Sequence, residues 1–203
     1  KMEYSFSDDE WMTEKDLDQK KELFALGLHV PKFHSKIINI EKCWLQSEAS
    51  NDILNFTRDF FKSRNVSVYS TKTQSGFLRF LILRQSKNTN DFMINLITFD
   101  YDVQLMKEYS ELLMKNFPYI TTIINSISQK KAQVAIGETE KILTGSGFIY
   151  EKLKSISGKE YLFKISPQSF FQTNTLQAEN LFNSVISFGE FKKEDQVLDL
   201  YCG

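Results

Sequence analysis

The stretch that most constrains the fold of this 203-residue chain is its closing VLDLYCG. Val197, Leu198 and Leu200 are typical of a parallel strand that is covered on both faces. Gly203 would let the chain turn sharply and let a ligand approach the main chain. Ligands of open α/β sheets bind beyond the carboxyl ends of the strands, so we expect contacts from Tyr201 and Gly203. A buried strand of an α/β protein that binds nothing there is the alternative.

The rest of the chain predicts a mixed α/β fold with many short strands. Segments rich in β-branched and aromatic residues predict strands over residues 2–7, 23–30, 37–40, 76–85, 91–99, 120–128, 141–153 and 159–165. The first two predict an antiparallel pair, and residues 76–85 and 91–99 predict a hairpin. Gly145, Gly147 and Gly158 are expected at bends or turns. Strands and helices in mixed order up to residue 166 are then followed by a new helix–strand unit.

Three helices are predicted from their starts and ends. Ser50 or Asn51 would cap a first helix over 52–64, and Asp102 would cap a second that Pro118 closes. Asn174, with Gln177 three residues later, is typical of a third start, and Gly189 would end that helix. Leu181, Phe182, Val185 and Ile186 form an apolar stripe along it.

Composition narrows the class of protein. Hydrophobic residues make up 41% and charged residues 25%, which is ordinary for a globular protein. No apolar run is long enough to cross a bilayer and no signal peptide is evident, so we expect a cytoplasmic protein without a membrane partner. Because the net charge is only -1, RNA binding would need local basic patches.

A second stretch, ISPQSFFQTN, lies just before the third helix. In an extended segment Phe170 and Phe171 point in opposite directions, so one can be core while the other is free to stack on a base. Gln172 can donate and accept hydrogen bonds, which suits a ligand with both an ammonium and a carboxylate. A linker whose aromatic residues merely seal an interface is the alternative.

Taken together, SPQSFFQTN, a helix and VLDLYCG resemble the RNA uracil-C5 methyltransferases, which use S-adenosylmethionine to make 5-methyluridine in ribosomal or transfer RNA. The segments KMEYSFS, ALGLHVPKFHSKIINIEKCWLQ and GFLRFLILR are also similar to the family's central domain. The resemblance implies an RNA-facing central α/β domain over residues 1–166. Residues 167–203 would begin a Rossmann-like methyltransferase domain, most of which this chain would lack.

The resemblance also implies roles for individual residues. Gln172 and Tyr201 match the family's contacts to S-adenosylmethionine, Phe170 is a candidate for RNA contact, and Asp199 would orient the strand end. Cys43 matches a position that in many members is the last of four thiolates holding an iron–sulfur cluster. Since four thiolates cannot come from the two cysteines here, we expect no cluster in this chain, although a parent protein could carry one.

The family's chemistry implies what else to expect. A cysteine adds to C6 of uracil, C5 attacks the methyl group, and a base then removes the C5 proton. Both groups lie downstream in the family, so no catalytic residue is expected in this chain, which alone should be inactive. Cys202 matches a structural position rather than the nucleophile. His29 and His34 have no cysteine partner in a motif, and both are expected at the surface or at a strand edge.

The expected partner is RNA, rRNA in preference to tRNA. We expect the enzyme to be a monomer that flips its target base out of the stack. Candidate phosphate contacts are Lys130, Lys131, Lys152, Lys154, Lys159 and Lys164. Arg79 and Arg84 share a strand, but their odd spacing predicts opposite faces. The alternatives are a non-catalytic RNA-binding or interaction module, and a methyltransferase of the same fold with another substrate.

Overall fold

The computed structural model describes residues 1–12 and 24–200, and of His34 and Ser35 only the main chain. Within these residues nine strands and three helices form. The strands are β1 Met2–Ser7, β2 Ala25–Val30, β3 Phe33–Asn39, β4 Leu78–Gln85, β5 Phe92–Thr98, β6 Thr122–Ile127, β7 Thr139–Thr144, β8 Ile149–Lys154 and β9 Glu160–Ile165. The helices are α1 Glu48–Ser63, α2 Val103–Asn116 and α3 Thr175–Gly189.

The described strands form a seven-stranded sheet and a separate two-stranded one. The large sheet has the order β3-β2-β1-β4-β5-β6-β7, and β8 pairs with β9. Strands β5 and β6 are parallel, with α2 as their crossover, and the other neighbours are antiparallel. The predicted mixed α/β fold is confirmed, as are the β1–β2 pair and the β4–β5 hairpin.

The large sheet is covered on both faces at its centre. Phe92 and Ile94 of β5 pack in a cluster with Phe61 of α1 and Tyr109 of α2. Met93, between them, packs on the other face in a cluster that includes Ile149 of β8 and Ile165 of β9. Because both faces are covered, every residue of β5 is buried. The small sheet is thereby attached to the face of the large sheet opposite α1 and α2.

Local signals set the helix ends, with one correction. Asp102 accepts a hydrogen bond from the main-chain nitrogen of Leu105 at 2.9 Å, and α2 ends before Pro118, as predicted. The predicted cap of α1 is wrong: Ser47, not Ser50 or Asn51, caps a helix that begins at Glu48. The Asn51 side chain instead accepts from the main-chain nitrogen of Cys43 at 2.9 Å, so it is committed to the preceding loop.

Helix α3 begins and ends as predicted, but its apolar stripe is not covered. Asn174 accepts from the main-chain nitrogen of Gln177 at 3.1 Å, and the helix ends at Gly189. The stripe residues are between 45% and 55% exposed. They are Leu181, Phe182, Val185 and Ile186. The apolar stripe is therefore present, but the described residues do not cover it.

The predicted closing strand is also not formed within the described residues. Val197, Leu198 and Leu200 lie in irregular structure and are 66%, 80% and 68% exposed. A buried parallel strand needs hydrogen-bonded neighbours and a cover on each face, and the described chain supplies neither here. Tyr201, Cys202 and Gly203 lie outside the described residues. No helix in the described ranges is long and apolar enough to span a membrane.

Candidate functional site

The segment between β9 and α3, residues 166–174, carries the predicted ligand contacts and begins as a tight turn. The main-chain nitrogen of Ser169 donates to the oxygen of Ser166 at 3.2 Å, and their hydroxyl oxygens are 2.7 Å apart. Gln168 donates from Nε2 to the main-chain oxygen of Gly137 and to a carboxylate oxygen of Glu140, each at 3.0 Å. The start of the segment is thus tied to the large sheet beside β7.

The side chain of Arg84 binds the main chain of the same turn. Its Nη2 donates to the main-chain oxygens of Pro167 and Ser169 at 3.2 and 2.5 Å. The side chain is almost fully buried, and burial lowers the pKa of its guanidinium, an effect that the charge of Glu3 opposes. Because the donor is charged, these bonds are stronger than neutral ones. Arg84 therefore fixes the main chain immediately before Phe170.

Glu151 holds the other end of the segment. This buried carboxylate accepts from the main-chain nitrogens of Lys87 at 2.8 Å and Asn88 at 3.0 Å, and from the Thr175 hydroxyl at 3.0 Å. Lys152 adds a main-chain nitrogen at 3.0 Å. Four donors around one carboxylate compensate for its burial. The first residue of α3 is thereby joined to the β4–β5 loop.

Between these two anchors, the aromatic residues separate as predicted. Phe171 is half-buried against the cluster of Ile149 and Ile165, and its ring centroid is 5.7 Å from that of Phe163. Phe170 is 87% exposed. The predicted division into one core and one free ring is confirmed. Contact of Phe170 with RNA stays a prediction.

Gln172 is exposed, and within the described ranges its amide makes no protein hydrogen bond. It borders a cleft of about 30 Å³ that Arg84 and Glu151 also line, which is room for about one water molecule. A second cleft of about 470 Å³ lies beyond Thr173 and Asn174 and is also lined by Leu45. Sequence reasoning missed this cleft, because its walls come from strands and loops far apart in the chain.

The basic residues sort into buried and exposed groups. Arg79 donates to the main-chain oxygens of Ser128, Lys130 and Ala132, each at 2.7 Å, and is 1% exposed. Arg79 and Arg84 are thus committed to main-chain oxygens rather than to phosphate. A register shift between Leu78 and Phe80 also interrupts the alternation on which their predicted placement on opposite faces relied.

Of the predicted lysines, Lys130 and Lys131 are exposed in the loop that Arg79 holds. Lys159 lies in the β8–β9 turn, with its Nζ 5.0 Å from the ring centroid of Tyr161. Lys152, Lys154 and Lys164 are on the two strands of the small sheet.

Cys43 and the histidines complete the predicted candidates. Cys43 is half-buried near the Tyr4 phenol, whose pKa is raised by burial and, to a lesser degree, by the thiol. Among residues 1–12 and 24–200 no three His, Cys, Asp or Glu side chains converge as metal ligands. This donor set does not fit an iron–sulfur cluster. His29 is exposed on β2, with Nε2 3.0 Å from the Ser5 hydroxyl, and the side chain of His34 lies outside the described part.

This chain has relatives among known proteins. No protein-family model matches it. It is 38% identical over 208 residues to an uncharacterized RNA methyltransferase of Chlorobaculum tepidum, covering 100% of this chain and 42% of that protein. It is 34% identical over 168 residues to the tRNA (uracil(54)-C(5))-methyltransferase of Pyrococcus horikoshii, covering 83% and 37%.

A solved structure of a tRNA methyltransferase also matches this chain. The Pyrococcus abyssi tRNA (uracil-54, C5)-methyltransferase, in complex with S-adenosyl-L-homocysteine, has a TM-score of 0.65 and 27% identity, over 91% of this chain and 40% of that one. The chain is therefore a homologue of RNA methyltransferases. More narrowly, the predicted resemblance to the RNA uracil-C5 methyltransferases is confirmed. The chain spans less than half the length of these relatives.

Proposed function

We propose that the protein carrying this chain transfers a methyl group from S-adenosylmethionine to C5 of a uridine in RNA, forming 5-methyluridine. The observation that carries the proposal is the 38% identity to an RNA methyltransferase across the whole of this chain. The P. abyssi structure supports the cofactor, because it contains S-adenosyl-L-homocysteine. The proposed domains are the predicted ones, an RNA-facing domain over 1–166 and the beginning of the methyltransferase domain over 167–203.

Gln172 is the proposed cofactor contact within the described residues, and Tyr201 is a second one outside them. The exposed carboxamide can donate to the carboxylate of the methionine part and accept from its ammonium. The cleft beside Arg84 is too small for the cofactor, so the amide has to meet it on the open side of the segment. S-adenosylmethionine supplies the electrophilic methyl group. Arg84 and Glu151 hold the two ends of the segment that carries the Gln172 amide.

The RNA substrate is part of the proposal. The sequence prediction prefers rRNA, whereas the two relatives above whose names specify an RNA act on uracil 54 of tRNA. Either substrate requires the uridine to leave its stack. The nucleophilic cysteine and the general base are not assigned to this chain, which we propose is inactive in isolation. The cytoplasmic location belongs to the same proposal.

The test is a methyl-transfer assay with the full-length gene product. Unmodified tRNA and rRNA are incubated with isotope-labelled S-adenosylmethionine, and 5-methyluridine is identified by mass spectrometry of the nucleosides. Label at C5 of uridine is expected in one of the two RNAs. Label in neither RNA, or on another base, would contradict the proposed reaction. Methyl transfer by residues 1–203 alone would contradict the proposed inactivity.

The cofactor contact is tested with Gln172→Ala. The KM for S-adenosylmethionine should rise about 10- to 100-fold, since a hydrogen-bonded amide facing a charged ligand contributes roughly 1.5–3 kcal/mol, while RNA affinity stays unchanged. Gln177→Ala, which removes an exposed amide in the first turn of α3, is the matched control and should leave the KM unchanged. An equal KM in the two variants would remove Gln172 from the site.

A further inference from the structure

The two-stranded sheet has one face that turns away from the rest of the protein. Antiparallel partners lie on the same face, and three cross-strand pairs share this one. They are Tyr150 with Lys164, Lys152 with Leu162, and Lys154 with Glu160. The residues that alternate with them on β8, Ile149, Glu151 and Leu153, are buried on the opposite face. We call the six-residue surface the outer ribbon face.

The outer ribbon face combines positive charge with exposed apolar groups. Leu162 is 59% and Tyr150 is 38% exposed. Lys164 places its Nζ 4.0 Å from the ring centroid of Phe148, and the Phe148 ring meets that of Tyr150 edge to face at 5.3 Å. The face carries three lysine side chains and one carboxylate, so its net charge is positive. A face that only meets water has no need of an aromatic pair, whereas flexible nucleic acids bind surfaces that offer both charge and stacking.

The ribbon is held rigidly by the β4–β5 loop. The main-chain nitrogen of Tyr150 donates to Asp91 at 2.7 Å, and its oxygen accepts from the Thr89 hydroxyl at 2.5 Å. Asn88 donates to the main-chain oxygen of Lys152 at 2.7 Å. These side chains bind β8 in addition to its pairing with β9. The lysines therefore project from a fixed main chain, which lowers the ordering cost of binding.

The outer ribbon face is also close to the candidate site. Ile149 and Ile165, at the base of the ribbon, belong to the same cluster on which Phe171 packs. Phe171 is flanked by Phe170 and Gln172. An extended strand of RNA that contacts the ribbon can therefore continue to residues 166–174. That segment is where we propose that the cofactor and a base bind.

We infer that the outer ribbon face binds a single-stranded segment of the substrate RNA beside the target uridine, with Lys152, Lys154 and Lys164 contacting phosphates and Tyr150 stacking on a sugar or base. This inference rests on the proposed function. Stacking is independent of base identity, and phosphate contacts fix position rather than sequence. The ribbon would thus orient the RNA without choosing the uridine.

Glu160 opposes this binding. Its carboxylate is 3.2 Å from Nζ of Lys152 and 3.4 Å from Nζ of Lys154. The hydrogen bond from Lys152, followed by its charge, lowers the pKa of this carboxyl, so the group is ionised at neutral pH. An RNA phosphate has to compete with it for both lysines. Removing the negative charge should therefore strengthen RNA binding.

The first experiment measures RNA affinity of the full-length gene product by fluorescence anisotropy. The probes are a labelled single-stranded oligonucleotide and unmodified tRNA, at several salt concentrations. The triple variant Lys152→Gln, Lys154→Gln, Lys164→Gln should lose about tenfold in affinity at moderate salt. Its slope of log affinity against log salt for the single strand should be smaller by about 2, since each phosphate contact contributes about 0.7. The KM for S-adenosylmethionine should not change.

The matched control removes the same charge elsewhere. Lys62, Lys107 and Lys115 are exposed on α1 and α2, on the face of the large sheet opposite the ribbon. Their triple replacement by Gln should change RNA affinity less than about twofold and leave most of the salt slope in place. Equal losses in the two triple variants would overturn the assignment, because the effect would then belong to net charge and not to the ribbon.

The single variant Glu160→Gln provides an independent arm that does not depend on the triple variant folding. RNA affinity should rise, and the KM for S-adenosylmethionine should not change. Unchanged or lower affinity would count against the outer ribbon face. If the wild-type protein binds no RNA, the proposed function itself fails. If the wild-type protein binds RNA and the triple lysine variant binds it with the same affinity, only this inference fails.

Discussion

Arg84 donates a hydrogen bond of 2.5 Å from Nη2 to the main-chain oxygen of Ser169, 85 residues later in the chain. The same nitrogen lies 3.2 Å from the main-chain oxygen of Pro167. A residue in the middle of the large sheet therefore sets the position of the loop that carries Phe170 and Gln172. A lysine, with a compact ammonium, could not reproduce the planar guanidinium at this site.

Replacing Arg84 should loosen that loop. Arg84→Met leaves two main-chain oxygens without a charged donor, and we expect a loss of about 1–3 kcal/mol in the free energy of unfolding. The KM for S-adenosylmethionine should also rise, because Gln172 is no longer held. Urea unfolding and steady-state kinetics measure the two effects.

The control for this variant is Arg79→Met. Arg79 is equally committed to main-chain oxygens, but those of residues 128–132. Its loss should reduce the stability by a similar amount and leave the KM for S-adenosylmethionine unchanged. A KM that rises equally in both variants would mean that general destabilisation, rather than position, affects the cofactor.

Glu151→Gln should destabilise the junction of α3 with the β4–β5 loop. Three of the four groups that approach the carboxylate are main-chain N–H donors and the fourth is the Thr175 hydroxyl, so an amide nitrogen in place of either oxygen meets at least one N–H that can only donate. A loss of about 3 kcal/mol is expected, measured as the free energy of unfolding in urea. In Glu179→Gln the acceptor oxygen for the nitrogen of Lys154 is retained, and the loss should stay below about 1 kcal/mol. Similar losses in both variants would contradict the four-donor account.

Tyr109→Phe should change the alkaline limit of stability. The phenol is buried and lies 2.8 Å from the Thr57 hydroxyl. Burial raises its pKa above the value of about 10 in the unfolded chain. The protonated phenol thus stabilises the fold fully below about pH 10, and this stabilisation is lost as the pH rises from there toward the folded pKa.

At pH 7 the variant should be less stable by about 1 kcal/mol, because one buried hydrogen bond is lost. Above pH 10 the difference between wild type and variant should shrink, since only the wild type has this phenol to ionise. Unfolding in urea at pH 7, 9, 10 and 11 measures both. A difference that is constant over this range would show that Tyr109 does not ionise on unfolding.

Phe170→Ala should weaken RNA binding without affecting stability. The ring is 87% exposed, so its removal leaves no cavity, whereas stacking on one base contributes about 1–3 kcal/mol to binding. Phe188, which is 88% exposed near the end of α3, is the matched control. Anisotropy with labelled RNA should give a weaker affinity for Phe170→Ala alone. Equal affinities would rule out the predicted contact.

The local features of this fold could be predicted because each depends on neighbouring residues. Asp102 and Asn174 cap their helices through a nitrogen three residues ahead, and Pro118 cannot continue a helix. The β4–β5 hairpin follows from two apolar segments around a polar turn. The predicted cap of α1 is three or four residues too late because Ser47, Ser50 and Asn51 all suit a cap, and only the packing of Asn51 on the Cys43 loop distinguishes them.

By itself, the sequence determined the mixed α/β class, most strands and two of the three helix starts, and the separation of Phe170 from Phe171. Tertiary structure alone decided that Arg84 and Glu151 hold the candidate segment and that three lysines share one face of a two-stranded ribbon. It also decided that the α3 stripe is exposed in the described chain. The physical reason is that hydrogen bonds such as that of Arg84 with Ser169 join residues 85 positions apart, and no local pattern records which distant main-chain oxygen a buried charge will find.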